Sequence, residues 1–459
     1  MTSCIKDIRN AYSKKKFVMY TLILCALFLT YCITSVLFQF RDQTSLDVWS
    51  VEFWDVLVYK KMHGFYEYTL QNLRGAPHGV KDGSWLPIIP QIIWNFPIWL
   101  FNHNPETSDI TGDFCNVWGK LLNIVCFVVL CIYVYKTVMY LTERNTESAL
   151  IAVILVAGSI EAYASIAFAG QDEIIYMMTL MIALYYRLKG RRLVSLLFEV
   201  ITATLCSIML IPLVVLELIN YKKFRHFIAG IVMMLLPGVI FELAYRNNAL
   251  YQSAKLFNST GIFQYMTTSC PLPSTIGQIS IPMVLLVVIM FMAFAHRNDD
   301  NKANVILYTM LSMVIMSFLM YSLFYRYFVY VPLLAIYVAC TEGSRAMKAF
   351  LMLTAGVCRF FSSFTYPDIF SYFYYSPFAK KILPDNGMFI DVTHSNINNL
   401  MCVTNPLSVA CIILVLYICC SRKKKEYTFI VSDKVILPIY LGSSVLFIMY
   451  YMVWLFVLH

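Results

Sequence analysis

The sequence predicts an all-α protein that crosses a membrane with about eleven to thirteen helices. Two observations predict this class. The 459 residues are 60% hydrophobic and only 13% charged, whereas a soluble chain of this length would need far more charge to cover its surface. The apolar residues also recur in runs of roughly 17–25, the length that spans about 30 Å of hydrocarbon. We therefore expect residues 1–459 to form a single integral membrane domain.

The basic residues predict how this domain is oriented. The net charge is +9, and the lysines and arginines fall in short clusters between the apolar runs, as is typical of cytoplasmic loops. One cluster precedes the first run, 17–40, which has no small-residue cleavage site and is too long for a signal peptide. The N-terminus is therefore expected in the cytoplasm, and no nucleic-acid partner is predicted.

Further apolar runs predict the remaining helices. They lie at 117–141, 149–168, 174–186, 193–220, 227–245, 281–296, 303–324, 327–341, 349–365, 401–420 and 433–457. Because basic clusters at 186–192 and 221–227 flank the run at 193–220 on both sides, this run is predicted to be a helical hairpin that enters and leaves on the cytoplasmic side. The longer stretches are predicted to be outer loops at 41–116, 246–280 and 366–400.

Three prolines interrupt the apolar part of the first outer loop. Pro87, Pro90 and Pro97 fall within residues 85–101, and each of them removes a backbone donor that an α-helix needs. An interfacial or re-entrant segment tolerates such breaks better than a helix that crosses the membrane. A full crossing would also place the basic clusters that follow on the outside, so interfacial or re-entrant helices are expected here.

Cysteine and histidine give no metal or disulfide signal. Most of the fourteen cysteines lie inside apolar runs, and the seven histidines are scattered. Neither a paired CxxC pattern nor an HExxH motif occurs, so a disulfide framework, a protein-held zinc ion and a bound cofactor are not predicted.

The first candidate site lies directly after the first run, in SLDVWSVEFW at 45–54. One interpretation is an amphipathic helix in the membrane interface, with Trp49 as an aromatic anchor and Glu52 and Asp55 as solvated charges. The functional alternative is that Asp47 is a general base that takes a proton from an acceptor hydroxyl.

A second candidate site is AGQDE at 169–173, which precedes another predicted helix. Asp172 is expected to cap that helix, and an acidic Glu173 suits its first turn. Capping does not account for Gln171. Because this stretch is expected on the same side of the membrane as Asp47, the two are predicted to converge on one outer cavity.

A third candidate site is YRYFVYVP at 325–332. Arg326, with Tyr325 beside it, fits an interface arginine whose charge reaches water. It also fits a phosphate clamp, because a guanidinium offers forked donors to phosphate oxygens. Lys81 in the first outer loop would serve the same purpose.

Five ionisable residues fall inside apolar runs, where a charge is costly unless it faces protein or water. They are Glu161, Glu199, Glu217, Glu242 and Arg359. Such groups are what a transporter would use for ion or proton coupling, so they favour a rival class of function.

Taken in order, these segments resemble the GT-C superfamily of membrane glycosyltransferases, in particular bacterial mannosyltransferase-like members that use polyprenyl-phosphate sugars. The family pattern of an acidic residue, a tryptophan and a glycine in the first outer loop matches Asp47, Trp54 and Gly64. AGQDE is similar to its Trp-Gly-Gln-x-Asp-Ser motif but lacks the tryptophan, the intervening residue and the serine. The Arg-Tyr at Arg326 and the proline that follows match a later His-Glu-Arg-Tyr motif without its His-Glu.

The resemblance implies transfer of a sugar from a polyprenyl-phosphate donor to a glycan or lipid acceptor at the outer face, with inversion at the anomeric carbon. It implies Asp47 as the base, and Gln171, Asp172, Glu173 and Trp54 as substrate-binding residues. The leaving phosphate would be met by Arg326, Tyr325 and Lys81. The implied location is a bacterial inner membrane, and the implied partners are these substrates and membrane lipids.

Two other functions remain open from the residues. One is a lipid-linked saccharide flippase or transporter, which the buried carboxylates favour. The other is a polysaccharide polymerase, which would also combine many helices with large outer loops.

Overall fold

The computed structural model describes most of the chain up to residue 363 and short pieces beyond it. The described residues are 2–59, 64–67, 84–101, 113–221, 223–253, 255, 271–274, 277–319, 329–341, 345–363, 373–376, 378, 381, 407–408, 410–415, 417–418 and 440.

Helices dominate the described residues. They are α1 (Thr2–Leu37), α2 (Arg41–Tyr59), α3 (Ile89–Trp94), α4 (Phe96–Phe101), α5 (Asp113–Leu141), α6 (Thr146–Ala157), α7 (Ile160–Tyr163), α8 (Glu173–Leu188), α9 (Arg192–Leu205), α10 (Leu210–Asn220), α11 (Phe224–Tyr245), α12 (Ile281–Ala295), α13 (Asn301–Leu319), α14 (Val331–Cys340) and α15 (Arg345–Ser363). Two antiparallel ladders supplement them. Strand β1 (Phe38–Phe40) pairs with β4 (Phe373–Tyr375), and β2 (Pro271–Ser274) pairs with β3 (Gly277–Ser280).

Three helical segments among the described residues are long and apolar enough to cross a membrane: 17–37 in α1, 114–141 in α5, and α11. A fourth crossing results if α6 and the helical turns that follow it, bent by 53°, count as one span. The chain is therefore an all-α membrane protein, as its composition predicts. The predicted count of eleven to thirteen crossings is not confirmed by these spans.

The bend between α6 and α7 has identifiable polar contacts. Ser159 caps α7 with its side chain. The hydroxyls of Tyr31 and Tyr440 donate to the carbonyls of Ala157 and Leu155 at 2.8 and 2.7 Å. A helix that breaks at membrane depth needs such donors, because lipid offers none to the released carbonyls.

The predicted hairpin at 193–220 corresponds to α9 and α10, which are separated by a short 3₁₀ turn at Ser207–Met209. The start of α9 lies beside the end of α10, because Arg192 Nη2 is 3.1 Å from Glu217 Oε2. Arg187, from the end of α8, contacts Glu217 as well and lies 2.5 Å from Glu199. This ion network packs α8, α9 and α10 together at the basic end of the hairpin.

The segment 84–101 is not one straight helix. Its helices α3 and α4 are six residues each, which corresponds to about 9 Å of rise against about 30 Å of hydrocarbon. Pro97 lacks the amide that would extend α3, so the chain breaks at Asn95. The short helices agree with the interpretation that this segment does not cross the membrane as a single helix.

Helix α2 is covered on two faces, so it is packed into the protein and does not merely lie on a surface. Trp49 and Phe53 belong to an aromatic cluster with Phe241 of α11. Val48 and Val51 pack with residues of α4 and the start of α5. This double packing fixes the rotation of α2 and therefore the direction in which its polar side chains point.

Candidate functional site

Asp47 lies in α2 among polar side chains, and only 4% of it is exposed. Its Oδ1 accepts a hydrogen bond from Asn95 Nδ2 at 3.0 Å. Its Oδ2 accepts from Gln43 Nε2 at 3.4 Å. The same Asn95 amide also donates to Ser50 Oγ at 2.7 Å. Both carboxylate oxygens are therefore oriented by amide donors from two different elements.

The proline-rich segment at 84–101 places Asn95 beside Asp47. Asn95 occupies the break between α3 and α4. A reciprocal pair of indole hydrogen bonds anchors this break, because Trp94 Nε1 donates to the Trp118 carbonyl at 2.8 Å and Trp118 Nε1 donates to the Trp94 carbonyl at 3.1 Å. The two rings also stack, with centroids 5.0 Å apart. The pair holds Asn95 and the start of α5 against the same carboxylate.

Gly119 lets α5 approach the carboxylate closely. A Cβ atom at this position would lie 2.6 Å from Asp47 Oδ2 and 2.6 Å from Gln43 Nε2. Contacts below 3.0 Å essentially never occur at a real Cβ atom, so a side chain at position 119 would displace Asp47 or Gln43. The site is therefore built against bare helix backbone.

Gln43 joins Asp47 to the AGQDE stretch. A Cβ on Gly170 would lie 2.4 Å from Gln43 Oε1, and the φ angle of Gly170 is +59°. That backbone region strongly favours glycine. Gly170 therefore contacts the side chain that binds Asp47, whereas a shared outer cavity for Asp47 and residues 169–173 stays a prediction.

A buried cation lies near the carboxylate. Lys120 follows Gly119 in α5 and is fully buried. Its Nζ donates to the carbonyls of Phe38 and Ala167 at 2.6 and 2.9 Å. It therefore links β1, the start of α5 and the helical turn before AGQDE, and its positive charge acts on Asp47.

Burial raises the pKa of Asp47 from its usual 3.8 to about 7. The hydrogen bonds from Asn95 and Gln43 and the charge of Lys120 lower the pKa, but they do not offset the loss of hydration. A carboxyl group with a pKa near neutrality exchanges its proton at physiological pH, which is the property that a general base requires.

Three amide oxygens around Asp47 lack a donor from the described residues. They are Gln43 Oε1, Asn95 Oδ1 and Asn116 Oδ1, all buried. The amide of Asn116 donates to the Phe38 carbonyl at 3.1 Å, and its backbone carbonyl accepts from Gln43 at 3.1 Å. Buried acceptors normally have partners, so this group of oxygens suits a ligand that carries hydroxyl donors.

Gln171, Asp172 and Glu173 follow Gly170 in the chain and are buried. Gln171 is 1% exposed, and its backbone amide donates to the Ser165 carbonyl at 3.0 Å. Asp172 stands at the N-cap of α8, but its side chain makes no capping hydrogen bond. Glu173 begins the helix and is 2% exposed. The expected capping role of the Asp172 carboxylate is therefore wrong.

Trp54 has a packing role in the structure. Its Nε1 donates to the Ile92 carbonyl at 2.8 Å, and its ring packs 4.8 Å from that of Phe96. Trp54 therefore connects α2 to the proline-rich segment that carries Asn95.

Two acids of α2 differ from the expectation of solvated charges. Glu52 is 4% exposed, because both faces of α2 are covered. Asp55 accepts a hydrogen bond from Trp99 Nε1 at 2.7 Å. Glu52 is therefore buried and Asp55 is bonded to a protein side chain, and the amphipathic interpretation failed here because it assumed that one face of α2 meets water.

Three predicted substrate-binding residues, Lys81, Tyr325 and Arg326, lie outside the described residues. Conversely, three residues that bind or flank Asp47 were not among the candidates: Gln43, Asn95 and Lys120. Gln43 precedes Asp47 by four residues, so helical spacing could have indicated it. Lys120 interrupts an apolar run, which is itself a signal of function or of a buried partner.

The predicted intramembrane acids have protein partners. Tyr330 donates to Glu161 at 2.6 Å, and Lys255 lies 2.8 Å from Glu242. Glu199 and Glu217 belong to the arginine network of α8 to α10. Within the described part of the chain, no three His, Cys, Asp or Glu side chains are grouped as a metal site would need.

Comparison with known proteins does not identify a family. The chain matches no model of a known protein family, and no curated protein is similar to it in sequence. The resemblance to GT-C glycosyltransferases therefore stays a prediction, and the functional proposal rests on the geometry around Asp47.

Proposed function

We propose that the protein is a membrane glycosyltransferase of the GT-C type, which moves a sugar from a polyprenyl-phosphate donor to a glycan or lipid acceptor at the outer face. The observation that carries this proposal is Asp47. It is a buried carboxyl group with a pKa of about 7, oriented by two amides and surrounded by acceptor oxygens that suit a polyhydroxylated ligand.

The reaction balances as a single displacement. Asp47 takes the proton of the acceptor hydroxyl while the acceptor oxygen bonds to the anomeric carbon of the sugar. The bond from that carbon to the phosphate oxygen breaks, and the polyprenyl phosphate leaves with the electron pair. Attack from the opposite face inverts the configuration. In this proposal the leaving phosphate is met by the cationic side chains of Arg326 and Lys81.

Gln43 and Asn95 act as positioning residues. Their amide N–H groups hold the two oxygens of Asp47, and their own buried amide oxygens have no donor among the described residues. Lys120 favours the charged form of Asp47, so it helps keep the base ready to accept a proton. The amides and the lysine thus offset part of the cost of burying a carboxylate.

The decisive test uses purified protein in lipid nanodiscs with a polyprenyl-phosphate sugar. Asp47→Asn should still bind the donor but transfer sugar at least about a hundredfold more slowly, the scale on which removal of one catalytic proton acceptor acts. The wild-type rate should rise with pH up to about 7 and then level off. Asp55→Asn is the matched control, because Asp55 lies in the same helix and bonds to Trp99.

Two outcomes would contradict this proposal. Full activity of Asp47→Asn would remove Asp47 as the base. Movement of a lipid-linked saccharide across proteoliposome membranes by the wild-type protein, with no covalent change, would replace the transferase by a transporter.

A lipid-linked saccharide flippase or transporter is the second candidate, and the bent span favours it. Glu161 lies just after the break between α6 and α7, and Tyr330 donates to it. A Cβ on Gly356 of α15 would lie 2.9 Å from Glu161 Oε2. Transporters build sites from such interrupted helices, and Glu161→Gln should then abolish flux without affecting any sugar transfer.

A further inference from the structure

The connections that follow α5, α8, α10 and α12 lie together at one end of the molecule. Lys302, at the start of α13, lies 3.1 Å from Glu143 in the turn after α5. A Cβ atom on Gly190, in the turn after α8, would lie 3.8 Å from the side chain of the residue that begins α13. Arg297, just after α12, lies over the ring of Tyr221, which follows α10, at 4.7 Å from the ring centroid. All four connections therefore meet around the start of α13.

Basic residues concentrate at the corner of this end where α9 and α11 begin. Arg192 Nη2 donates to the carbonyl of His226 at 2.7 Å, which joins the first turns of the two helices. The charges of Arg192, Lys223 and Arg225 all act on the His226 side chain. Arg191 precedes Arg192 directly in the chain. We refer to Arg191, Arg192, Lys223 and Arg225 as the basic corner.

Three cations of the basic corner have no acidic partner among the described residues. Arg191, Lys223 and Arg225 are exposed, and none of them forms an ion pair with an Asp or Glu in the described part of the chain. Arg192 differs, because it lies 3.1 Å from Glu217, an acid that it shares with another arginine of the ion network. The corner therefore carries a positive charge that a neighbouring anion would offset.

Apolar side chains lead away from the basic corner along both helices. In α11, Phe224, Ile228 and Val232 follow one another at intervals of four residues and are between 44% and 67% exposed. Leu193 and Leu197 repeat the same spacing in α9 and are exposed as well. Residues four apart lie on one face of a helix. Because α11 is a candidate span, its apolar stripe faces hydrocarbon in a bilayer.

An anionic phospholipid has the two chemical features that this arrangement fits. Basic side chains at the end of a lipid-facing helix attract anionic headgroups, and the apolar stripe that starts at Phe224 offers a surface to the acyl chains of the same molecule. A zwitterionic lipid has such chains but no net charge. A soluble anion has the charge but makes no use of the stripe.

We propose that the basic corner binds the headgroup of an anionic phospholipid whose acyl chains lie along Phe224, Ile228 and Val232. The orientation that the basic clusters predict would place this lipid in the cytoplasmic leaflet. The inference is independent of the proposed function, because it needs neither Asp47 nor a sugar donor.

Lipid titration followed by native mass spectrometry tests this site. Wild-type protein in a neutral detergent is titrated with phosphatidylglycerol and, separately, with phosphatidylcholine that has the same acyl chains. The expected result is saturable binding of phosphatidylglycerol at least about tenfold tighter than that of phosphatidylcholine. Higher ionic strength should weaken the binding of phosphatidylglycerol, because salt screens exposed charges.

Two variants make the test specific to the basic corner. The double variant Lys223→Gln and Arg225→Gln should weaken phosphatidylglycerol binding about twentyfold, because each basic residue at an anionic surface contributes a factor of about five. Arg246→Gln is the matched control, because Arg246 is exposed and follows the opposite end of α11. It should change the affinity less than about twofold. Thermal unfolding establishes that both variants are folded.

Three results would overturn the assignment. Equal affinities for the two lipids would mean that the apolar stripe binds any phospholipid. An unchanged affinity in the double variant would place the anionic lipid elsewhere. Glycerophosphoglycerol carries the same headgroup without acyl chains, and if it displaced phosphatidylglycerol at equal concentration, the basic corner would be a site for soluble anions.

Discussion

At the scale of single residues, Asp47 and its immediate neighbours concentrate the unusual chemistry of this protein. The carboxyl group is buried, but two amides and a lysine counter the desolvation. A structural carboxylate of an ordinary fold would normally be fully paired with cations or exposed to water. The contacts around Asp47 offset only part of the hydration that its carboxyl group loses on burial. The neighbouring amide oxygens also have no donor among the described residues. That combination is more typical of a binding site than of packing.

The raised pKa of Asp47 makes a prediction about stability. The folded state holds the proton up to about pH 7, whereas the ordinary value is 3.8. The fold therefore binds more protons than the unfolded chain between these values, and stability falls as the pH rises through this window. At about 1.4 kcal/mol per unit, the cost above pH 7 is on the order of 4 kcal/mol.

Asp47→Asn removes this cost, so the variant should gain stability over wild type as the pH rises. We expect the difference in thermal unfolding midpoint in detergent to be larger at pH 8.5 than at pH 5. A difference that is the same at both pH values would show that burial does not raise the pKa of Asp47.

Gly119→Ala makes the second prediction at this scale. Alanine in place of glycine normally stabilises a helix interior by about 0.5–1 kcal/mol. Here the new Cβ would lie 2.6 Å from Asp47 and from Gln43, so we expect a loss of about 1–3 kcal/mol. Thermal unfolding measures this change. Gly64→Ala is the control, because its Cβ would meet nothing closer than 3.5 Å. A Gly119→Ala protein as stable as wild type would contradict the close packing.

At the scale of elements, the proline-rich segment and the hairpin are held in place by different means. The segment at 84–101 uses a helix break to place Asn95 against α2. The hairpin of α9 and α10 uses buried charge to hold its ends beside α8. Arg187 contacts both Glu199 and Glu217, and Gly230 of α11 lets that helix pack on Glu217. Removal of one partner from such a network leaves a buried charge uncompensated.

Glu217→Gln should therefore destabilise the protein by about 3–5 kcal/mol. The measurement is the free energy of unfolding, or the shift in the thermal midpoint, in detergent. Glu143→Gln provides the contrast, because Glu143 is 83% exposed where it meets Lys302 at 3.1 Å. That surface pair should be worth less than about 1 kcal/mol. Equal effects of the two substitutions would mean that the network carries no special stability.

At the scale of the whole molecule, the orientation of the chain decides whether Asp47 faces the compartment that the proposed reaction needs. The basic clusters predict that 186–192 lies in the cytoplasm and that the first outer loop lies outside. The structure shows that the two ends of the hairpin lie together, since Arg192 at the start of α9 contacts Glu217 near the end of α10, and the compartment that they face stays a prediction.

Cysteine labelling tests this orientation. In a background without reactive native cysteines, Glu67→Cys should react with a membrane-impermeant maleimide on intact cells. Arg191→Cys should react only after the membrane is permeabilised. Both positions are exposed in the structure. The reverse pattern would place Asp47 in the cytoplasm and exclude transfer at the outer face.

Much of the architecture follows from the order of residues alone, because hydropathy, basic clusters and prolines act locally along the chain. They determined the membrane class, the hairpin at 193–220 and the broken segment at 85–101.

The contacts of the site do not follow from local signals. Asn95 lies 48 residues from Asp47, and Gly119 and Gly170 lie farther still. Only packing of α2 on both faces decides that Asn95 and Gly119 meet the Asp47 carboxylate and that Gly170 meets Gln43 beside it, since burial and charge depend on neighbours in space. The sequence thus determined that this is a helical membrane protein, and the tertiary structure decided what surrounds Asp47.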